Sequence, residues 1–303
     1  MLPSSTGTSA ADALLDTLLA RAPRSIVIVG TAKNTGKTVT FNALRRAAFR
    51  RGMRCAVTSL GRDGEPADAL DGRRKPRVRL EPGTVVALPR ALLPAAPALE
   101  ILAAGAPSAL GQMIFARARC VTETQIGGPP RAHDLRAVID RLAALSGEVV
   151  MVDGALDRLA PLAGGDDRVV IATGAASGAT VAEIAAVAGD VVARLLLPAV
   201  AESCAGAIRI AGALDARCAH DLIVRHRGAT VVVADPTRVV VRGKLFAMLR
   251  AAVDLRCAQR LCILACTTSS AGGAASLDAR ALVRAVAAAT GLPTFDLVAG
   301  LAA

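Results

Sequence analysis

The sequence contains no tryptophan and no tyrosine, and among 303 residues only five phenylalanines and four lysines, Lys33, Lys37, Lys75 and Lys244. The remaining basic charge is arginine, and much of the 53% hydrophobic content is Ala, Val and Leu. A GC-rich coding bias produces all of these features together, so composition is a poor guide to function. It does exclude a disordered chain. The formal net charge of +11 raises the question of a polyanionic partner. Its densest run is Arg73-Arg74-Lys75-Pro76-Arg77-Val78-Arg79, with no aromatic residue interleaved, so bases have no platform to stack on. The run reads as a solvated loop or as a docking surface for an acidic protein, and nucleic acid is not the expected partner.

Other absences narrow the class. Seven scattered cysteines do not make a disulfide framework, and Cys262 and Cys266 have no second pair or nearby histidine to complete a zinc site. They read as small buried hydrophobes. No stretch offers the roughly 20 uncharged apolar residues of a membrane span. Residues 1–23 lack a basic leader, and Asp12 and Asp16 interrupt their apolar positions. A cytoplasmic location with no membrane attachment is the expectation.

What is present is alternating α/β. Residues 1–23 are expected to form a largely helical N-terminal extension, with Leu14, Leu15, Leu18 and Leu19 at helical spacing. Ser25–Val29 reads as a buried strand, Lys37–Arg51 as a helix stopped by Gly52, and Arg54–Ser59 as the next strand. A strand–helix–strand unit of that length implies a parallel sheet. Residues 77–80 and 84–87 flank Pro82-Gly83 and suggest a hairpin. Ile114–Ile126 reads as one strand, Glu148–Val152 and Val169–Ala172 as buried strands, and Ala132–Leu145 and Thr180–Leu196 as helices. The nucleotide-binding domain is expected at residues 24–200. A C-terminal α/β region, 201–303, follows, with strands near 208–211, 230–234, 261–266 and 295–298 and helices at 215–227, 244–255 and 278–290. Whether it extends the first sheet or forms a second domain is open.

The loop Gly30-Thr-Ala-Lys-Asn-Thr-Gly36-Lys37-Thr38 carries the chemistry. A triphosphate needs many donors facing one point, and a glycine-rich turn between a buried strand and a helix supplies them, with the helix dipole adding to the field. Gly30 and Gly36 permit close backbone approach. Lys37 is expected to reach the β- and γ-phosphates, and Thr38 to ligate Mg²⁺. The other loop residues Thr31, Lys33, Asn34 and Thr35 line the site. A carboxylate at the end of a neighbouring strand should hold the metal or its waters. Asp153, after Val149-Val-Met-Val152, is the candidate. Asp63, between Gly61 and Gly64, is the second, as a residue that orients water or contacts the metal. Asp215 and Asp235 also end strand-like runs but read as turn residues. His133, His220 and His226 show no nucleophile–base arrangement.

The loop departs from the ordinary Walker spacing, with five residues rather than four between Gly30 and Gly36, and Thr at position 31. Gly-Thr-x-x-x-x-Gly-Lys-Thr resembles the loop of dethiobiotin synthetase, in the P-loop NTPase group that includes MinD-like ATPases and signal-recognition GTPases. That likeness implies a mainly parallel sheet flanked by helices. In many of that group an early loop lysine acts across a dimer; Lys33 is the candidate here, one residue closer to Lys37 than in their pattern.

Several segments together are more specific. Val29 to Thr40, Thr58-Ser-Leu-Gly-Arg-Asp-Gly-Glu65, Lys75-Pro-Arg-Val78 with Gly83-Thr84, and Val152-Asp-Gly-Ala-Leu-Asp-Arg158 are similar to the ATPase-like subunit family of the lysine 5,6-aminomutase reactivase. The resemblance runs over about residues 25–298, more loosely from Cys266 onward. It implies ATP and Mg²⁺ as cofactors, with Lys37, Thr38, Asp63 and Asp153 at the nucleotide. It also implies a protein partner, an adenosylcobalamin-dependent aminomutase or a second reactivase subunit, in a homo- or heterodimer. No Asp-x-His-x-x-Gly cobalamin-ligand pattern occurs, so direct cobalamin binding is not expected. Three activities stay open at this point: an ATPase that remodels a partner, an ATP-dependent small-molecule ligase or kinase, and an ATPase gated by a polymer.

Overall fold

The computed structural model describes residues 9–20, 22–60, 78–94, 98–108, 110–129, 131–200, 206–271 and 277–303. Helix α1 (Ala10–Leu19) is capped by Ser9, whose hydroxyl accepts from Asp12 N. Strand β1 (Ile26–Gly30) leads into helix α2 (Lys37–Arg50), which stops where Gly52 takes φ +72°. Then come β2 (Cys55–Ser59), β3 (Val78–Leu80), β4 (Val85–Pro89), β5 (Leu99–Ser108), β6 (Gly111–Ala118) and β7 (Thr122–Thr124). Helix α3 (Leu135–Ser146), β8 (Val149–Asp153), β9 (Arg168–Gly174) and α4 (Val181–Leu195) follow.

The principal sheet has ten strands. Its parallel heart runs β9-β1-β8-β2-β4, placing β1 between β8 and β9. Successive residues of the central strands enter opposite cores. Val27, Val29, Val150, Val152, Val169 and Ile171 face α3 and α4, whereas Ile26, Ile28, Val149, Met151, Val170 and Ala172 face α1 and α2. A strand buried on both faces needs an unbroken apolar run, which is how these strands read in sequence.

The last third of the chain is shared between two sheets. β10 (Ile208–Ile210), β11 (Thr230–Val233) and β12 (Asp254–Cys257) form a separate parallel sheet with α5 (Ala216–Arg225) and α6 (Gly243–Ala252), around their own apolar cluster. The chain then returns to the principal sheet. There β13 (Ile263–Ser269) pairs with β9, and β14 (Thr294–Asp296) pairs with β13. β15 (Leu301–Ala302) closes that edge antiparallel to β14, and α7 (Ala279–Thr290) packs against α4. Residues 208–257 are thus an excursion between α4 and β13. It is tied to α4 by buried Arg194, which donates to Val239 O at 3.3 Å, and by Asp190, which accepts from Gly243 N at 2.8 Å. Burial pushes the Arg194 guanidinium below its usual pKa, opposed by the adjacent Asp190.

Three local expectations change. The turn at Pro82-Gly83 exists, with Thr84 N donating to Glu81 O, but it does not join a hairpin. β3 pairs with β7 in a two-stranded sheet, while β4 enters the principal sheet between β2 and β6. All five residues of β4 are buried, and a strand at that depth requires a partner on each side. The single strand expected over 114–126 divides into β6 and β7 for the same reason: its two halves serve different sheets. The helix expected over 244–255 ends at Ala252, and its last residues belong to β12, a strand absent from the sequence reading. Among the described residues no helix is long and apolar enough to cross a membrane.

Candidate functional site

β1 delivers the chain to the Gly30–Thr38 loop at the carboxyl edge of the sheet, where open α/β sheets place their ligands. Thr31 is sewn to β9. Its N–H donates to Ala172 O at 2.9 Å, and its hydroxyl lies 3.0 Å from Thr173 Oγ1 and 2.6 Å from Ser177 Oγ. Both Thr31 donors are therefore engaged with protein, so it shapes the loop from its flank. Lys33 and Asn34 form the exposed outer turn, with Asn34 at φ +60°. The chain then turns inward. Thr35 is buried and its hydroxyl donates to Ala32 O at 3.0 Å, closing the loop on itself.

Two glycines are required by geometry. A Cβ on Gly30 would stand 2.5 Å from Thr35 Oγ1, 2.9 Å from Lys37 Cγ and 3.0 Å from Ala32 O. Gly36 has φ +88°, and a Cβ there would also meet Ser269 Cβ at 3.0 Å. Gly36 starts α2 without a side-chain cap, and the first helical bond is Thr40 N to Gly36 O at 2.9 Å. The N–H groups of Lys37, Thr38 and Val39 precede that bond, so they have no partner within the helix. α4, α5 and α7 carry caps from Thr180, Asp215 and Asp278, whereas α3 and α6, like α2, have no side-chain cap. The uncapped start of α2 is a concave set of donors with the positive end of a helix dipole behind it.

Asp153 ends β8, in register with Ile28 of β1 and Ser59 of β2. The Lys37 ammonium folds toward it, donating to Gly154 O at 3.2 Å and lying 4.0 Å from Asp153 Oδ1. The Lys37 and Asp153 side chains are 32% and 24% exposed, although the Asp153 Oδ1 that faces Lys37 is itself buried. Gly154 must be glycine: a Cβ would press on Val29 Cγ1 at 2.6 Å and Ile28 O at 3.0 Å. Its N–H donates to Ile28 O at 2.7 Å, fastening the turn after β8 beneath the loop.

The structure thus gathers Gly30, Thr31, Lys33, Asn34, Thr35, Gly36, Lys37, Thr38 and Asp153 at one edge. Asp63 lies outside the described residues, as do Lys75 and most of the basic run. Asp215 and Asp235 are N-caps, accepting from Cys218 N and Thr237 N. The three histidines are exposed: His220 on α5, where its Nδ1 lies 2.6 Å from Ala216 O, His226 at the C-cap of α5, and His133 in the 3-10 turn before α3. Cys266 is buried and Cys262 partly so, and no metal-binding group of His, Cys, Asp or Glu occurs among the described residues.

Sequence reasoning missed the hydroxyl flank of the site. Thr173 and Ser177 hold Thr31, Ser269 abuts Gly36, and the Thr40 and Thr267 hydroxyls are 2.8 Å apart. The available signal was a glycine or hydroxyl residue directly after an apolar run, as in Ala172-Thr173-Gly174 and Cys266-Thr-Thr-Ser269. Comparison with protein-family models, curated proteins and solved structures found no match.

Proposed function

We propose that this chain binds ATP with Mg²⁺ at the Gly30–Thr38 loop and hydrolyses it to act on a partner protein. The observation that carries the reading is the placement of Lys37 at the uncapped start of α2. There its ammonium lies between the donor-lined loop and the Asp153 carboxylate. A buried parallel strand, a tight glycine turn and a helix N-terminus are the parts a polyphosphate site needs. The residues fit the group. Gly30 lets Thr35 and Lys37 close on the start of the loop, the amides of residues 37–39 supply donors, and Thr38 and Asp153 supply the hydroxyl and carboxylate that Mg²⁺ favours. Mg²⁺, when bound, neutralises charge on the β- and γ-phosphates. Lys37 would exchange its contact with Gly154 O for phosphate oxygens, and Asp153 would hold the metal or its waters.

Partner coupling is supported by the resemblance to the aminomutase reactivase subunit, which makes an adenosylcobalamin enzyme or a second reactivase subunit the partner class. The test is ATP binding and hydrolysis by the wild type and by Lys37→Ala, with and without such a partner. Binding lost in the variant and turnover raised by the partner support the reading. Equal turnover in both proteins, or turnover that needs a small-molecule acceptor, would overturn it.

A further inference from the structure

Arg158 lies five residues after Asp153, and its guanidinium donates through Nη1 to Leu60 O at 3.0 Å. Leu60 is the residue after β2, and its own N–H donates to Asp153 O at 2.8 Å. These two bonds close a ring: Asp153 to Leu60 through one main-chain bond, Leu60 to Arg158 through the guanidinium, and Arg158 back to Asp153 along the chain. Gly154, the residue whose carbonyl holds Lys37, lies inside that ring. The opposite side of the β2 exit is walled. Gly128 packs so closely on Ser59 O that any Cβ there would collide with it, and Leu60 itself is 2% exposed. Leu60 is thus packed in place, and the arginine ties the turn after Asp153 to it.

Arg158 is partly buried, and its guanidinium makes a charge-assisted bond to a main-chain carbonyl. The ring does have a use if the turn must be held to a fixed geometry, because Asp153 and Gly154 are the two groups that meet Lys37. We propose that Arg158 is a positioning residue for the metal-side turn: by clamping Leu60 O it fixes Asp153 and Gly154 relative to Lys37, and so sets the metal-dependent step rather than nucleotide affinity. The proposal rests on the reading of the loop as an ATP–Mg²⁺ site.

The experiment compares wild type with Arg158→Ala and Arg158→Lys in three readouts. These are nucleotide affinity without metal, the Mg²⁺ concentration at half-maximal ATP hydrolysis, and hydrogen exchange over residues 56–60. The Arg158→Ala variant should keep its metal-free affinity within about twofold, because the clamp touches no loop donor. Its Mg²⁺ requirement should rise, and its turnover fall, by roughly the factor of ten that one charge-assisted hydrogen bond represents. Exchange at the Leu60 amide should quicken. Lysine retains a donor and should restore part of the turnover. Turnover and Mg²⁺ dependence unchanged in Arg158→Ala overturn the proposal. So does an equal loss in metal-free affinity, thermal stability and turnover, which is the mark of a general structural role. Wild type that neither binds nor hydrolyses ATP overturns the functional reading as well, and the exchange measurement then reports on the clamp alone.

Discussion

Replacing Gly30 with alanine tests the site by pure sterics. Gly30 does not occupy the left-handed region, so the backbone accepts alanine without dihedral strain. The methyl, however, would sit 2.5 Å from Thr35 Oγ1, 2.9 Å from Lys37 Cγ and 3.0 Å from Ala32 O. Of the three, the lysine chain swings away at little cost, whereas Thr35 is 1% exposed and bonded to Ala32 O, so it has nowhere to go. Overpacking of this kind costs about 1–3 kcal/mol. Taking about 2 kcal/mol, the midpoint of thermal unfolding should fall by roughly 3 °C. Nucleotide affinity should drop further, since the displaced Thr35 and Lys37 belong to the site itself.

A double-mutant cycle makes the argument quantitative. Thr35→Ala alone removes a buried hydroxyl and its bond to Ala32 O, for about 1 kcal/mol. If the Thr35 hydroxyl is the obstruction, Gly30→Ala with Thr35→Ala should cost about 1–2 kcal/mol rather than the additive ~3 kcal/mol. Urea unfolding of the four proteins gives the coupling directly. The control is Gly52→Ala at the end of α2, where φ is +72° but no atom lies within 4 Å of a Cβ. It should lose about 1–2 kcal/mol from strain and leave nucleotide binding unchanged. A double mutant whose cost equals the sum of its singles refutes the steric account of the cradle.

Thr31→Val keeps the side chain's bulk but removes the hydroxyl bonds to Thr173 and Ser177 that shape the loop; nucleotide affinity should weaken by about fivefold, corresponding to ~1 kcal/mol, in a fluorescence titration, with unchanged affinity as the contrary result. Burial pushes the thiols of Cys55 and Cys257 up to about 11 and that of Cys266 to about 12. The folded state keeps these protons longer than the unfolded one, so their stabilisation is complete below about pH 9 and is lost as pH rises through 9 to 12. Unfolding midpoints should therefore fall over that range, and less so in Cys55→Ala, while at pH 8 iodoacetamide should modify Cys120 before any of the three. The buried Arg45 on α2 pairs with Glu81, and burial lowers the guanidinium to about 10. Glu81→Gln strands that charge and should cost about 3–5 kcal/mol in urea unfolding, whereas Arg45→Met with Glu81→Leu should be much milder.

The central strands were legible because burial on both faces leaves a compositional mark: Ile26–Val29, Val149–Val152 and Val169–Ala172 contain no polar residue. The loop was legible because its glycines and Lys37 sit at fixed offsets from β1 and α2. Sheet membership was not. Val85–Leu88 has the same apolar character whether it turns back on β3 or inserts beside β2, and only the non-local partner decides. β12 was hidden because Ala252, Val253 and Leu255 prolong the apolar spacing of α6 across its true end. The hydroxyl flank was hidden for another reason. Thr173, Ser177 and Ser269 are unremarkable in sequence and acquire a role only when β9 and β13 bring them beside β1.

The position of β1 between β8 and β9 gives the loop two unlike seams. Toward β9 it is held by hydroxyl and main-chain bonds that are satisfied within the protein, from Thr31 to Ala172, Thr173 and Ser177. Toward β8 it is held by a charge, Lys37, against Gly154 O and Asp153. An incoming polyanion has nothing to offer the first seam, whose donors already have acceptors. It competes strongly for the second, because a phosphate oxygen is a better partner for an ammonium than a neutral carbonyl is. Ligand binding should therefore open the β8 seam and leave the β9 seam closed. The Lys37 ammonium is then the group that moves, while Asp153 and Gly154 stay where Arg158 ties their turn to the end of β2.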